Sequence, residues 1–357
     1  EYILDLADTI SRETDLNPED PHEAIDRCAE TGKAIMLKEI QQALDRFRVN
    51  FDIWSLESDL HASGLLEKTL AAVRNRGYLY DQEGALWIKT SEFGDDKDRV
   101  IRKGDGQFTY FASDIAYHLE KHRRGFTKAI NIWGADHHGY VPRVKAALIS
   151  HDIPETWLSV LLIQLVKLWQ DGKEVRMSKR AGSFVTLQEL LDEVGVDAAR
   201  FVFLTKSHDS PLDVDMDLVK KQDSENPVYY VQYAHARICS IIRKAELEGI
   251  AVPDNHDGIS KHLVQEEEMA LIRTMWEFPS LLEDICRTLE AHRLTYYLTH
   301  LAASFHRYFN MGSKHGGLRV ITEDRTLTQA RLILVSGVKI IIANGLKLLG
   351  ISAPEKM

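Results

Sequence analysis

The chain has 357 residues, 44% of them hydrophobic and 27% charged, with 9 prolines and 21 glycines, which excludes a disordered, collagenous or coiled-coil protein. Three scattered cysteines (Cys28, Cys239, Cys286) exclude a disulfide framework and a Cys-rich zinc site and suit the reducing cytoplasm; without an unbroken run of 18 apolar residues, no membrane span is expected. The formal charge of −10 argues against unspecific affinity for polyanions.

Length suggests two or three domains. The chain opens on Glu1-Tyr2-Ile3, with no initiator Met and no basic-then-apolar leader, and so reads as part of a longer polypeptide. Its first 75 residues are predicted as helix: Leu37, Ile40, Leu44 and Phe47 recur at spacings of three and four, as do Leu66, Leu70 and Val73. From Ala85 the pattern turns to short strands. Residues 85–89 form one, while 99–103 and 107–111 flank Gly104-Asp105-Gly106 as a hairpin. A helix over 113–123 follows, with Ser113 as its cap and Asp114 in its first turn.

Residues 129–133 read as a buried strand running into Gly134-Ala-Asp-His-His-Gly139, then a helix over 141–150 that starts near Pro142. A long apolar strand over 160–168 comes next, with a hairpin turn at Asp171-Gly172. This alternation predicts an α/β domain with a mostly parallel sheet, whose ligands sit beyond the carboxyl ends of the strands. Beyond Thr186 the chain reads as all helix, opened by the capping box Thr186-Leu-Gln-Glu189 and closed by a helix with Leu327, Leu334, Val338, Ile341 and Gly345 on one face. A boundary is placed near Ser224-Glu225-Asn226-Pro227. Nine Lys/Arg stand against three acids between Arg287 and Gly350, suiting either a chosen anionic partner or solvated helix faces.

Several segments carry candidate chemistry. Arg176-Met177-Ser178-Lys179-Arg180 lies between a hairpin strand and a capped helix. Lys179 there would set its ammonium on ATP phosphates as charge develops, with Ser178 holding the loop; a bare Met-Ser-Lys is otherwise an exposed basic turn. In Trp133-Gly134-Ala135-Asp136-His137-His138-Gly139, small residues let a ligand approach the backbone, and Asp136 and the histidines can bond a ribose, a base or an amino acid. A zinc site would need a third ligand, and nothing orders His118 and His122 toward His137, so no metal site is assigned.

Tyr110 and Asp114, read as a strand end and a helix start, can face one cleft, the carboxylate taking a guanidinium and the phenol a second contact. Alone, Asp114 is also explained as an aspartate stabilised by the helix dipole. Asp213-Val-Asp215-Met-Asp217 begins like a calcium loop, but Leu218 and Ser224 stand where Gly and Glu are required, so calcium is rejected. Tyr230 and Tyr233 share a helix face with Arg237, which suits stacked bases of single-stranded RNA or a helical core.

Taken in order, Tyr110-Phe-Ala-Ser-Asp114-Ile-Ala-Tyr117-His118, Asn131-Ile-Trp-Gly-Ala-Asp136-His-His-Gly-Tyr140-Val-Pro-Arg143, Arg176-Met-Ser-Lys-Arg-Ala-Gly182, Asn226-Pro-Val-Tyr-Tyr-Val-Gln-Tyr-Ala-His-Ala-Arg237 and the tail Ala353-Pro-Glu-Lys-Met357 closely resemble the arginyl-tRNA synthetases, a family of class I aminoacyl-tRNA synthetases. The resemblance implies an α/β fold: an incomplete class I Rossmann-like catalytic domain with a helical insertion, then an all-α helical-bundle anticodon-binding domain. Residues 1–84 would be the helical part, 85–225 the rest of the catalytic domain with the Met-Ser-Lys loop, and 226–357 the anticodon-binding domain. That helical domain is named for Asp-Ala-Leu-Arg; Asp197-Ala-Ala-Arg200 differs by one residue and precedes the boundary.

The implied activity is ATP-dependent conversion of arginine to arginyl-adenylate and its transfer to tRNA-Arg, with Mg²⁺ accompanying ATP, without zinc and without a membrane. By motif, Tyr110, Asp114, Asp136 and His137 fall to arginine, and Gly134, His138, Arg176 and Lys179 to ATP. Met177, Ser178 and Lys179 form the catalytic loop, and Tyr230, Tyr233, Arg237, His306 and Met357 fall to the tRNA anticodon. The 357 residues contain no His-Ile-Gly-His-type signature, the family's other clamp on the ATP phosphates. A fragment of a ligase, inactive alone, is therefore expected. The other readings are a non-catalytic tRNA-binding module and a class I synthetase for another amino acid.

Overall fold

The computed structural model describes residues 2–13, 20–175, 185–254, 258–314 and 316–357. They divide into two compact units: one joins Glu1–Asn50, Val166–Ser207 and Leu212–Met357, and the other holds Phe51–Leu165 and His208–Pro211. The chain enters the first unit through α1 (Tyr2–Glu13) and α2 (Pro21–Arg46). Asp20 starts α2, its carboxylate accepting from the N–H groups of His22 and Glu23, and Pro21 fills the first-turn position where no N–H is needed.

The second unit runs α3 (Glu57–Ala62), α4 (Leu65–Asn75), β1 (Leu79–Gln82), β2 (Ala85–Ile88), β3 (Arg99–Arg102), α5 (Tyr110–Arg123) and β4 (Ala129–Gly134). A 3₁₀ turn over Ala135–Tyr140, α6 (Val141–Ile149) and β5 (Leu158–Ile163) complete it. β1, β2 and β3 form an antiparallel sheet. β4 and β5 pair in parallel, Ala129 opposite Leu158 and Gly134 opposite Ile163, a pairing that needs a crossover, here α6. Leu66, Leu70 and Val73 of α4 pack with Ile88, Ile101, Val144, Leu158 and the Phe111, Ala112, Ile115 and Ala116 face of α5.

Four expectations change here. The helix expected from Ser113 begins at Tyr110, because the extended segment against β3 stops at Thr109, whose N–H and Oγ1 donate to the carbonyls of Ile101 and Val100. Ser113 is a buried residue inside the helix, 3.4 Å from His61 Nε2, and caps nothing; Asp114 lies beyond the first turn. The strand expected over 160–168 is two strands in different sheets, interrupted at Gln164 and a strongly exposed Leu165. The described strands form three small sheets in place of one mostly parallel sheet.

The first unit resumes with β6 (Val166–Gln170), β7 (Lys173–Glu174), α7 (Leu187–Val194), α8 (Val196–Phe203), β8 (Leu212–Asp215) and α9 (Met216–Val219). Asp171 and Gly172, at φ 51° and 70°, turn β6 antiparallel into β7, and β8 lies parallel to β6, a strand inside the region expected to be all helix. The Thr186–Glu189 capping box forms as expected. Asp215, from the rejected calcium loop, caps α9 by accepting from the N–H groups of Asp217 and Leu218.

A helical bundle follows: α10 (Pro227–Leu247), α11 (Glu266–Trp276), α12 (Phe278–Thr288), α13 (His292–Lys314) and α14 (Arg325–Leu348). Val231, Ala234 and Ile238 of α10, Leu298, Leu301 and Phe305 of α13 and Leu334, Val335, Val338 and Ile342 of α14 form its core. Among the described helices α14 alone is long and apolar enough to cross a bilayer, yet it packs into this core and carries a charge there. Arg331 donates to Glu268 Oε1 at 2.7 Å and to the carbonyls of Arg319 and Gly317. Arg287 and Arg293 share Asp284, so part of the basic excess noted over 287–350 is neutralised locally or buried.

Asp197-Ala-Ala-Arg200 ties three stretches of the first unit together. The Asp197 carboxylate accepts from Arg48, Gln232 and Ser352. The Arg200 guanidinium donates to the carbonyls of Phe47 and Leu349, at 2.6 and 2.7 Å. Burial works against the Asp197 charge, but the bonds from Ser352, Arg48 and Gln232 outweigh it and hold the carboxyl below the usual range.

Candidate functional site

In the second unit, α5 and the end of β4 build one polar corner. With Phe111, Ala112, Ile115 and Ala116 turned into the core, the opposite stripe of α5 carries Tyr110, Asp114, Tyr117 and Lys121. Tyr110 and Asp114 are therefore one turn apart on a single helix, where the sequence suggested a strand end and a helix start. Tyr110 is 81% exposed and Asp114 half-buried.

From the other side, β4 delivers Gly134 and the 3₁₀ turn. A Cβ on Gly134 would meet Asp136 Oδ1 at 2.6 Å, so with any other residue there the exposed Asp136 carboxylate would have to swing away from the strand end. Asp136, His137 and His138 are exposed, with His137 Nε2 3.9 Å from Asp136 Oδ2. The turn ends on Tyr140, whose hydroxyl donates to Asp114 Oδ2 at 2.6 Å. Sequence reasoning quoted Tyr140 but gave it no role; no periodicity links positions 26 apart, and only the motif it stands in marked it. Burial first, and then the Asp114 bond, push its phenol far above the ordinary tyrosine value, so it remains a donor.

Directly behind, His118 Nδ1 donates to the Asp114 carbonyl at 2.7 Å, and its Nε2 accepts from Asn131 Nδ2 at 2.6 Å. Both ring nitrogens are occupied and burial lowers the pKa, so the ring is a neutral strut between α5 and β4. Among the described residues no group of three or more His, Cys, Asp or Glu is arranged to hold a metal ion. Arg176, Met177, Ser178 and Lys179 lie outside the described residues.

The first unit carries a second candidate. Tyr230 and Tyr233 of α10 meet His306 of α13, with ring centroids 4.6 and 5.8 Å from it, and Tyr229 stacks on Tyr233. The Arg237 guanidinium lies 4.5 Å from the ring centroids of both Tyr233 and Phe309 and donates to the Tyr233 hydroxyl. Tyr229, Tyr230, Tyr233, Arg237 and His306 line a hollow of about 340 Å³ together with Asp223, Ser224 and Asn310. His306 Nε2 donates to the Tyr230 carbonyl at 3.2 Å, and burial holds its imidazole below the usual pKa. The sequence-derived Tyr230, Tyr233, Arg237 and His306 thus come together. Met357 is exposed and is not among the residues lining the hollow; its tail runs along α10 through bonds from Gln232 to Ser352 and from His235 to Pro354.

Residues 15–247 match the sequence family described as tRNA synthetases class I (R), catalytic domain, and residues 231–357 match the DALR anticodon binding domain. The chain belongs to the class I arginyl-tRNA synthetase family. An arginine–tRNA ligase of Aquifex aeolicus is 50% identical over 341 residues, covering 95% of this chain and 57% of its own length. One from Desulfosudis oleivorans is 48% identical over 361 residues, covering 100% of this chain and 64% of its own. A Campylobacter jejuni arginyl-tRNA synthetase structure superimposes with a TM-score of 0.87 at 35% identity, over 100% of this chain and 76% of that one. The chain thus spans 57–64% of the length of these two curated arginyl-tRNA synthetase relatives, and its two parts follow the family plan of a class I catalytic domain and a helical anticodon-binding domain.

Proposed function

We propose that the full protein is an arginine–tRNA ligase. The observation that carries the reading is the Asp114 carboxylate: half-buried beside an exposed tyrosine, next to the end of β4, and with no Lys or Arg paired to it among the described residues. A planar cation with several N–H donors matches it. Tyr110, Asp114, Asp136 and His137 bind arginine, and Gly134 and His138 border the nucleotide, where Arg176 to Lys179 reach its phosphates.

A carboxylate oxygen of arginine attacks the α-phosphorus of ATP, the α–β anhydride bond breaks, and pyrophosphate leaves. A ribose hydroxyl on the terminal adenosine of tRNA-Arg then attacks the activated carbonyl, and AMP departs. Mg²⁺ arrives with ATP. Lys179 supplies positive charge where negative charge develops on the phosphates. Tyr230, Tyr233, Arg237 and His306, with Met357, take the anticodon loop. Residues 1–84 and 85–225 serve activation and 226–357 tRNA recognition, in the cytoplasm.

The test is arginine-dependent exchange of pyrophosphate into ATP by the full gene product, with tRNA present. Exchange with arginine and not with other amino acids supports the reading; exchange with another amino acid sinks it. The 357 residues by themselves are expected to be inactive, because they hold one of the family's two phosphate-binding signatures; robust exchange by them overturns that part.

A further inference from the structure

We infer that Tyr140 is a positioning residue that sets the plane of the Asp114 carboxylate for a guanidinium substrate. The inference rests on the assignment of Asp114 to arginine made above and adds a residue to it.

A carboxylate on an aspartate side chain rotates through a broad range, because a torsion ending on an sp² carbon has no sharp wells. A guanidinium is a flat fork and gains most when both of its N–H groups meet a carboxylate in its own plane. Something must therefore hold that plane before arginine arrives, or the ordering has to occur on binding and weakens it. Among the described residues Tyr140 is the side chain that bonds this carboxylate, with its hydroxyl 2.6 Å from Oδ2. An ionised carboxylate has about four lone-pair sites, so one bond at Oδ2 leaves room for a bidentate ligand.

The tyrosine is itself fixed. Its ring meets Phe111 edge-on at 6.0 Å and Trp133 at 5.7 Å, and the Arg143 guanidinium lies 4.9 Å from its centroid. Phe111 comes from α5 and Trp133 from β4, so the ring is wedged between the two elements that form the corner. Below it the neutral His118 strut fixes the Asp114 backbone carbonyl. Backbone and side chain of Asp114 are thus each held by one neighbour, and neither neighbour carries charge. A cationic neighbour would have neutralised the carboxylate; a neutral phenol orients it and leaves its charge for the ligand.

The experiment compares the full gene product with Tyr140→Phe and Asp114→Asn in arginine-dependent pyrophosphate exchange, measuring kcat and KM for arginine and for ATP. Phenylalanine keeps the ring between Phe111 and Trp133, so folding is preserved. Tyr140→Phe is expected to raise the arginine KM about 3- to 12-fold, the cost of ordering one carboxylate side chain on binding, with kcat and the ATP KM within about threefold. It is also expected to narrow the preference for arginine over lysine, whose round ammonium needs no fixed plane. An arginine KM unchanged within twofold, or a loss confined to kcat, overturns the inference while Asp114→Asn still abolishes arginine use. If Asp114→Asn itself leaves the arginine KM unchanged, the assignment of Asp114 fails first, and the inference falls with it.

Discussion

Arg331 on α14 and Glu268 on α11 form an ion pair closed off from water: Nε and Oε1 are 2.7 Å apart and the two side chains are 2% and 0% exposed. The remaining guanidinium N–H groups reach the Arg319 and Gly317 carbonyls, and Glu268 also accepts from the Gln265 N–H. Arg331→Met strands a buried carboxylate and is expected to destabilise the helical unit by about 3–5 kcal/mol. The double variant Arg331→Met with Glu268→Leu is expected to lose less than the single one. Urea denaturation of both decides it, and a double variant weaker than Arg331→Met contradicts the account.

The segment held by Arg331 also presses on α13. A Cβ on Gly312 would lie 2.6 Å from the Leu318 carbonyl oxygen and 2.8 Å from its carbon, a clash with backbone that cannot swing aside. Gly312→Ala is expected to cost about 1–3 kcal/mol, as overpacking does. Thermal unfolding reads this directly; an unchanged midpoint would show that the turn yields freely.

Acid should weaken the protein in two stages. His118, His151 and His306 have pKa values below 6.5 because burial disfavours imidazolium, so the unfolded state binds more protons and stability falls as pH drops from 6.5 through the folded values. Asp197 is held below 3.8 despite burial, so its share persists above that pH and is lost below it. Urea midpoints are expected to decrease from pH 7.5 to 5.5 and again at 3.5. Equal midpoints at 7.5 and 5.5 refute the histidine part.

The hollow between α10 and α13 gives a binding prediction. If Tyr233 presents its ring to a base, Tyr233→Ala is expected to weaken affinity for a tRNA-Arg transcript by about 1–3 kcal/mol. Fluorescence anisotropy at fixed salt measures it. Binding unchanged by Tyr233→Ala and by Arg237→Ala together would remove RNA from this face.

Local signals were legible where local geometry decides. The Thr186–Glu189 box, the Asp171-Gly172 turn and the Leu66, Leu70, Val73 stripe follow from neighbours within four residues. The start of α5 was misplaced because Ser113 is a good cap by type, whereas the extended segment bonded to β3 fixes Thr109 in that position. An apolar run over 160–168 does not reveal where its backbone leaves a sheet, so one strand was expected in place of two. At the candidate site, Tyr110 and Asp114 were proposed from residue type and motif. Their partner Tyr140 was not, since its bond to Asp114 depends on how β4 lies beside α5. Arg331 is one of the nine Lys/Arg counted between Arg287 and Gly350, and only packing reveals it inside.

The Arg200 guanidinium gathers carbonyls from Phe47 and Leu349, positions separated by about three hundred residues of intervening chain. On the ribosome this clasp cannot close until residue 349 has emerged, so during synthesis α1, α2 and the Asp197–Arg200 segment must persist without their final partner. Long-range closure of this kind slows folding and leaves such intermediates open to aggregation. Nascent chains stalled before Leu349 should accordingly depend more on chaperones than those released after it.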